Sequence, residues 1–135
     1  MRAAALLLAT GSVLAGAARA DDAGAIALPS GQRVSWIDTV NDAAGPEGLT
    51  ARFRFLAPGI ARESGTVTAE EAHADMQVLC DAYALPRVSN IGPQPRQIVI
   101  SLADRKTEFG VPDPEATQYF EAYRIEDGAC IWELF

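Results

Sequence analysis

The C-terminal stretch, residues 119–135, constrains the fold more than any other part of the chain. Asp127-Gly128 supplies two adjacent residues that tolerate positive φ, as a two-residue type I′ turn requires, and strand-forming residues flank it on both sides. This pattern predicts a β-hairpin whose more apolar face packs on the core. On that face the register pairs Ile125 with Cys130, Tyr123 with Trp132 and Glu121 with Leu134; on the other it pairs Arg124 with Ile131, Ala122 with Glu133 and Phe120 with Phe135. Cys130 is therefore expected to point inward.

Residues 1–20 have the pattern of a secretory signal. Arg2 precedes an apolar run too short to span a bilayer, and Ala18-Arg19-Ala20 has the A-x-A form of a cleavage site. We predict cleavage before Asp21 and a periplasmic location, without membrane insertion afterwards. An uncleaved N-terminal anchor is the alternative. A lipid anchor is excluded because Ala17 stands where the lipidated cysteine would be needed.

The predicted mature chain is strongly acidic and has the size of one domain. Residues 21–27 have little to bury and are predicted to form a flexible tail, while residues 28–135 are predicted to form a single domain. Cleavage would remove Arg2 and Arg19 but no acid, which leaves nine basic and eighteen acidic side chains and a net charge near −9. Phosphate backbones and anionic membranes would repel such a chain, so nucleic acid and membrane surfaces are disfavoured as partners, whereas a basic partner would be attracted.

Cys80 and Cys130 are the two cysteines of the chain, and export would place both in an oxidising compartment. An even pair in a small exported domain predicts a structural disulfide. In the chain-entropy model, closing a loop of about fifty residues contributes ~4 kcal/mol of stability. A redox or metal-binding pair is disfavoured because the sequence has no C-x-x-C motif and only one histidine.

A single amphipathic helix is predicted in the middle of the chain. Thr68 and Glu71 have the spacing of a capping box, in which each side chain bonds the backbone N–H of the other residue. The apolar positions that follow recur on one stripe: Ala72, Met76, Leu79, Cys80 and Tyr83. The helix is expected to end near Ala84, because Pro86 disfavours helical geometry at the residue before it. Cys80 then lies on the buried side of the helix.

Alternation of apolar and polar residues predicts the other strands of the domain. The predicted strands are residues 32–40, 49–56 and 97–103, and the predicted loops are 41–48 and 87–96. Residues 104–106 are predicted to form a tight turn into a short extended piece at 107–109, and residues 110–115 to form an irregular connection. With one helix and mainly hairpin-type connections, the economical fold is α+β. We predict a mostly antiparallel sheet of four to five strands, with one helix packed on one face and a disulfide joining the helix to the sheet.

No motif for catalysis, cofactor binding or metal binding is present. His73 is predicted on the solvated face of the helix, and a nucleophile set of Ser101, His73 and Asp104 lacks the strained turn of a nucleophile elbow. Phosphate-binding glycine loops and calcium loops are also absent from the sequence. We therefore predict no catalytic residue, no metal and no cofactor. A hydrolase that uses paired carboxylates is the alternative, and it would need a cleft holding two acids, one of them desolvated.

Four residues are candidates for binding a partner: Trp36, Arg52, Arg54 and Arg124. The three arginines would form a basic outer face of the sheet, unless they pair with Glu126 or Glu133 on adjacent strands. The tryptophan and the turn at residues 28–31 would form an apolar rim, unless the tryptophan packs in the core.

Several segments carry a resemblance to a known family: Arg52-Phe-Arg-Phe55, Leu79-Cys80, Ile100-Ser-Leu-Ala-Asp-Arg105 and above all the hairpin from Phe120 to Glu133. They resemble a family of small exported alphaproteobacterial proteins catalogued as a domain of unknown function, over roughly residues 28–135. The resemblance implies a single periplasmic domain with paired cysteines and supplies no catalytic residues. Some relatives carry an acetolactate synthase label, but such enzymes are large multidomain proteins with a Gly-Asp-Gly cofactor motif, which this chain lacks.

The function expected from these observations is binding without catalysis. The partner would be a protein or a small ligand of the periplasm or envelope. Besides the hydrolase, an accessory subunit of an envelope complex is an alternative, which a large exposed apolar patch would support.

Overall fold

The computed structural model describes residues 22–45, 48–88 and 94–134, which form one five-stranded sheet, one long helical segment and two short 3-10 helices, at Asp22–Ala25 and Pro58–Ile60. The strands are β1 (Ser35–Gly45), β2 (Gly48–Leu56), β3 (Gln97–Ala103), β4 (Gln118–Glu126) and β5 (Ala129–Glu133). They lie side by side in chain order, and every pairing is antiparallel except that of β2 with β3. The fold is therefore α+β with a mostly antiparallel sheet, as predicted. The predicted signal, residues 1–20, lies outside the described residues.

The helical segment connects β2 to β3. It consists of α1 (Ala69–Leu79), a π-helical turn (Cys80–Ala84) and α2 (Leu85–Val88). The predicted capping box is present: the Glu71 N–H donates to Thr68 Oγ1 at 3.2 Å, and the Thr68 N–H donates to Glu71 Oε1 at 3.1 Å. Within the described ranges, no helix is long and apolar enough to cross a membrane.

The helical segment runs beyond its predicted end and stops at Val88, so that prediction is wrong. In an α-helix, proline lacks the N–H donor and its ring collides with the carbonyl four residues earlier. Here a π-helical turn precedes Pro86, and the Leu85 N–H donates to the Cys80 carbonyl five residues earlier. The wider turn accommodates the proline that was expected to end the helix.

The main core lies between the sheet and the helical segment. All seven residues of the central strand β3 are buried, including Ile98, Ile100 and Leu102 on the helix side. From the helix, the Tyr83 ring packs edge-on against Phe55, with 5.2 Å between centroids. The helix thus lies on one face of the sheet over the parallel pair that it connects, as a crossover between parallel strands requires.

The C-terminal hairpin has the predicted turn and register. Asp127 and Gly128 have φ values of 49° and 74°, as a type I′ turn requires. The observed pairs are Ala122 with Glu133, Tyr123 with Trp132, Arg124 with Ile131, Ile125 with Cys130 and Glu126 with Ala129. The predicted pair of Glu121 with Leu134 is not among the observed pairs, because β5 ends at Glu133. The predicted contact of Phe120 with Phe135 involves a residue outside the described part of the chain.

The predicted disulfide joins the helical segment to strand β5. Cys80 and Cys130 are bonded through their sulfurs, with 6.1 Å between their Cα atoms. Two helix side chains also bond the backbone of Cys130: Asp81 Oδ1 accepts from its N–H, and Gln77 Nε2 donates to its carbonyl, both at 2.9 Å. The helix therefore covers the outer edge of β5 at this position.

Strand β1, at the opposite edge, is longer than predicted and irregular. It continues to Gly45, and β2 begins at Gly48. Residues 41–45 and 48 therefore lie in paired strands rather than in the loop predicted over residues 41–48, whose residues 46 and 47 are outside the described part of the chain. The register of β1 shifts twice, between Trp36 and Asp38 and between Val40 and Ala43. Such bulges twist an edge strand and blunt its tendency to pair with another chain.

The N-terminal segment packs against the domain. The sequence predicts a flexible tail over residues 21–27, whereas the structure has a 3-10 helix at Asp22–Ala25. Ala23 is fully buried in the main core, and the Ile26 N–H donates to the Ala23 carbonyl at 3.2 Å. The segment has small side chains and was therefore not expected to pack, but the small side chain of Ala23 fits a closely packed position in the core.

Candidate functional site

The face of the sheet opposite the helix carries a cleft of about 920 Å³, which we call the arginine cleft. It is defined here by five of the residues that line it: Arg52, Arg54, Ser101, Phe109 and Phe120. Its floor is formed by β2, β3 and β4, and one wall is formed by residues 104–117, which we call the covering segment. Residues 60–67 contribute a second wall.

Strand register brings the floor residues together. Arg54 lies beside Ser101 across the parallel pair, and Ser101 lies beside Phe120 across the antiparallel pair. Because alternate residues of a strand share a face, Arg52 is on the same side as Arg54. The sequence thus predicts the shared face of the two arginines, while the neighbouring polar and aromatic residues depend on the sheet order.

The covering segment is a loop whose ends are joined. The Asp104 N–H donates to the Thr117 carbonyl at 3.0 Å, and the Thr117 N–H donates to Asp104 Oδ1 at 2.8 Å. Gly110 has a φ of 79°, which a residue with a side chain rarely adopts, and it turns the loop beside Phe109. This closed loop places Phe109 over the basic face of the sheet.

Arg54 is buried and fully engaged. It donates to Asp38 Oδ2 at 2.9 Å, to Thr107 Oγ1 at 3.1 Å and, through a shorter contact, to the Thr107 carbonyl. Only 6% of its surface is exposed. The expectation of an exposed basic outer face is therefore wrong at Arg54, because the covering segment closes over it. Its acidic partner is Asp38 of β1 rather than Glu126 or Glu133.

A bulge in β1 places Asp38, the acidic partner of Arg54, on the cleft side of the sheet. Trp36 is paired with Phe55 on the helix side, whereas Asp38 is paired with Arg54 on the cleft side, because Ile37 is the extra residue between them. Without the bulge, Trp36 and Asp38 would share a face. The extra residue thus turns the Asp38 carboxylate from the helix side of the sheet to the cleft side.

Arg52 is half-buried between two aromatic rings. Its guanidinium carbon lies 5.5 Å from the Phe109 centroid and 5.4 Å from the Phe120 centroid, within the range of cation–π contacts. Within the described ranges, no carboxylate forms an ion pair with it. Burial lowers the pKa of Arg52, and the positive charge of Arg54 lowers it further.

Two buried polar atoms of the cleft lining have no hydrogen-bond partner among the described residues. They are Arg52 Nε and Thr117 Oγ1. A buried donor or acceptor without a partner costs about 1–3 kcal/mol. The terminal nitrogens of Arg52 are not among these buried unpaired atoms.

Three large apolar side chains that line the arginine cleft are exposed. Phe109 is 47% exposed, Val111 is 51% exposed and Phe120 is 42% exposed. Sequence reasoning missed this aromatic pair, because Phe109 lies in an irregular segment without periodicity. A sequence feature that could have indicated this site is the presence of Phe109 and Val111 next to Gly110 and Pro112 in a connecting segment.

The other two predicted binding residues lie outside the arginine cleft. Arg124 is on the same face, but it forms ion pairs with Glu126 at 2.8 Å and Glu133 at 3.8 Å, which is the pairing that the sequence left open. Trp36 packs partly against the main core, and its Nε1–H donates to Thr39 Oγ1 at 2.9 Å. The structure therefore joins Arg52 with Arg54 and leaves Arg124 and Trp36 apart.

The one histidine lies on the opposite side of the sheet from Ser101. His73 Nδ1 is 3.0 Å from Glu121 Oε1, and its ring packs edge-on against Trp132 with 5.1 Å between centroids. Because Glu121 is paired with Ile100, it faces the helix side, whereas Ser101 faces the cleft. No hydrolytic set can form from Ser101 and His73. Across the described part of the chain, no group of three or more His, Cys, Asp or Glu side chains could hold a metal ion.

Comparison with known proteins identifies a family. Residues 8–135 match the model of a family described as "Family of unknown function (DUF6497)". Searches of curated proteins and of solved structures find no match. The match covers nearly the whole sequence, including the helix, the sheet and both cysteines. The chain therefore belongs to this family of unknown function.

Proposed function

We propose that the protein is an exported, non-catalytic binding module that takes up a small anionic ligand in the arginine cleft. The N-terminal pattern of residues 1–20 and the Cys80–Cys130 disulfide support export to an oxidising compartment. The size of the cleft supports a small ligand, because such sites commonly measure about 300–1,000 Å³.

The observation that carries this proposal is the environment of Arg52. Two phenyl rings hold its guanidinium in a half-buried position, and no carboxylate of the described chain neutralises it. Arg54 and Arg124, in contrast, each have an acidic partner. A desolvated cation without an internal counter-ion favours an anion from outside the protein, because the anion restores the charge balance lost on burial.

For a small ligand, the positive charge inside the cleft matters more than the negative net charge of the chain. An acidic surface steers basic macromolecules toward the protein, as expected from the composition. The cleft floor, however, carries Arg52 without an acidic partner, whereas Arg54 is paired with Asp38. The exposed Arg62 and Glu108, of opposite charge, both line the walls. A ligand small enough to enter experiences these nearby charges at short range, where coulombic energies are largest.

Ligand mapping by NMR tests the site. Small organic acids and their uncharged analogues are added to the disulfide-bonded protein, and amide and aromatic signals are followed. We expect shifts to concentrate at Arg52, Phe109 and Phe120. An Arg124→Gln variant is the matched control, since that arginine is on the same face but paired outside the cleft. Shifts confined to other surfaces, or no shifts with any compound, would contradict the proposal.

Cell fractionation tests the export part separately. The full-length chain is expressed in a Gram-negative host and the periplasmic fraction is analysed by intact-mass spectrometry. We expect an oxidised protein that begins at Asp21. Recovery of the uncleaved chain in the cytoplasm would refute export and leave the ligand experiment unaffected.

A further inference from the structure

We propose that the arginine cleft selects an organic monocarboxylate with an apolar or aromatic body, and that Arg52 binds the carboxylate. This inference rests on the proposed binding function and specifies its ligand class. It depends on three properties of the cleft: its charge, the donors that remain accessible and the character of its walls.

The charge of the floor fits a single negative charge. Arg54 is neutralised by Asp38 at 2.9 Å, so Arg52 is the cation that remains. On the walls, the exposed Arg62 is offset by the exposed Glu108, which also lines the cleft. A dianion such as a phosphate monoester would bring one charge more than the floor can balance, and desolvating that charge is unfavourable.

The accessible donors of Arg52 fit a planar acid. Its Nε is buried, whereas the residue as a whole is partly exposed, so we expect a ligand to reach the two terminal nitrogens. Phe109 and Phe120 hold the guanidinium by their rings, so a ligand approaches the terminal nitrogens. Two parallel N–H donors match the two oxygens of a carboxylate, and this arrangement gives both strength and orientation.

The walls fit an apolar body attached to that acid. Phe109, Val111 and Phe120 are each about half exposed, next to the guanidinium. A ligand that carries a hydrocarbon chain or an aromatic ring would cover these side chains while its carboxylate contacts Arg52. Covering apolar surface is favourable, and aromatic pairs add a geometric preference. Acetate alone would gain only the polar contact.

Four compounds test separately how the ligand's charge and its apolar body contribute to affinity. They are 3-phenylpropanoate, its uncharged amide, phenethyl phosphate and acetate. Their affinities for the disulfide-bonded protein are measured by calorimetry at neutral pH, with NMR to locate the site. We expect 3-phenylpropanoate to bind at least about tenfold more tightly than each of the others. Equal affinity of the amide, or tighter binding of the phosphate, would overturn the monocarboxylate assignment and leave the cleft as a binding site. Failure of all four to bind at the cleft would refute the proposed function itself.

Variants of Arg52 provide the second arm. Arg52→Gln is expected to abolish the preference for the acid over the amide and to leave the amide affinity unchanged. Arg52→Lys keeps the positive charge but cannot form the bidentate hydrogen bond to a carboxylate, so we expect a preference for the acid over the amide that is intermediate between wild type and Arg52→Gln. Arg124→Gln should behave as the wild type. An unchanged preference in Arg52→Gln would refute the role of Arg52, and the four-compound comparison on the wild type stands even if a variant does not fold.

Discussion

Asp81 accepts a hydrogen bond from the backbone N–H of Cys130 at 2.9 Å, next to the residue that forms the disulfide with that same cysteine. The helix therefore holds strand β5 by a covalent bond and by polar contacts to the same position. The two kinds of contact can be separated by experiment, because reduction removes only the first.

Replacing both cysteines by alanine should lower the free energy of unfolding by about 3–4 kcal/mol, because the unfolded chain regains the freedom lost on closing the loop. Urea unfolding of the wild type and the variant measures this difference. A reducing agent should destabilise the wild type comparably and leave the variant unchanged. A loss below about 1 kcal/mol would show that the Asp81 and Gln77 contacts are sufficient without the covalent bond.

Replacing Asp75 should destabilise the protein strongly, although this residue lies on the helix far from the arginine cleft. Its carboxylate is fully buried and accepts from the Ser30 N–H at 2.9 Å, from Ser30 Oγ at 2.5 Å and from Gln32 Nε2 at 2.8 Å. Asp75→Ala leaves these donors unpaired, so we expect a loss of about 3 kcal/mol in urea unfolding. Glu70→Ala, at an exposed position of α1, is the control. Equal effects of the two variants would contradict this role.

The buried hydroxyl of Tyr123 should be dispensable. It has no hydrogen-bond partner among the described residues, so Tyr123→Phe removes an unpaired polar group and keeps the ring in place. We expect the variant to be more stable than the wild type by about 1 kcal/mol in thermal or urea unfolding. Destabilisation would show that the hydroxyl has a partner in solution.

The same tyrosine should make stability depend on alkaline pH. Burial raises the pKa of Tyr123 well above its ordinary value, and the nearby charges of Glu121 and Asp81 raise it further. The unfolded chain ionises near pH ~10 while the folded chain keeps the proton, so stability is fully present below that pH and falls above it. Tyr123→Phe should lose this component of the fall, whereas Tyr119→Phe, at a partly exposed position, should retain it. Parallel pH profiles for wild type and Tyr123→Phe would refute this expectation.

Arg52 and Arg54 should respond differently to the same substitution. Arg54→Gln breaks a buried ion pair and the bonds to Thr107, and we expect a loss of about 2–3 kcal/mol of unfolding free energy. Arg52→Gln removes a cation without an acidic partner, so the loss should stay below about 1 kcal/mol. Urea unfolding of both variants measures the contrast. Equal losses would show that Arg52 serves stability rather than ligand binding.

The features that could be predicted from the sequence are those set by local chemistry. Asp127-Gly128 determines the turn, and the turn determines the register of the hairpin. The capping box of Thr68 and Glu71 determines where the helix begins. Two independent periodicities placed Cys80 and Cys130 toward one core, and their disulfide is observed.

The features that could not be predicted depend on contacts between distant segments. Alternation treats Arg52 and Arg54 alike, yet a single extra residue in β1 supplies Asp38 to only one of them. Phe109 belongs to a segment with no period, and its position follows from the loop closed by Asp104 and Thr117. The π-helical turn that accommodates a proline is likewise a tertiary effect, which local preference rules do not contain.

Both edges of the sheet are obstructed against further strands: β1 by its two bulges, and β5 at Cys130 by the helix side chains that bond its backbone. Fibril growth proceeds by stacking identical segments on a straight, open ladder, and neither edge offers one. The native protein should therefore resist seeding by preformed fibrils.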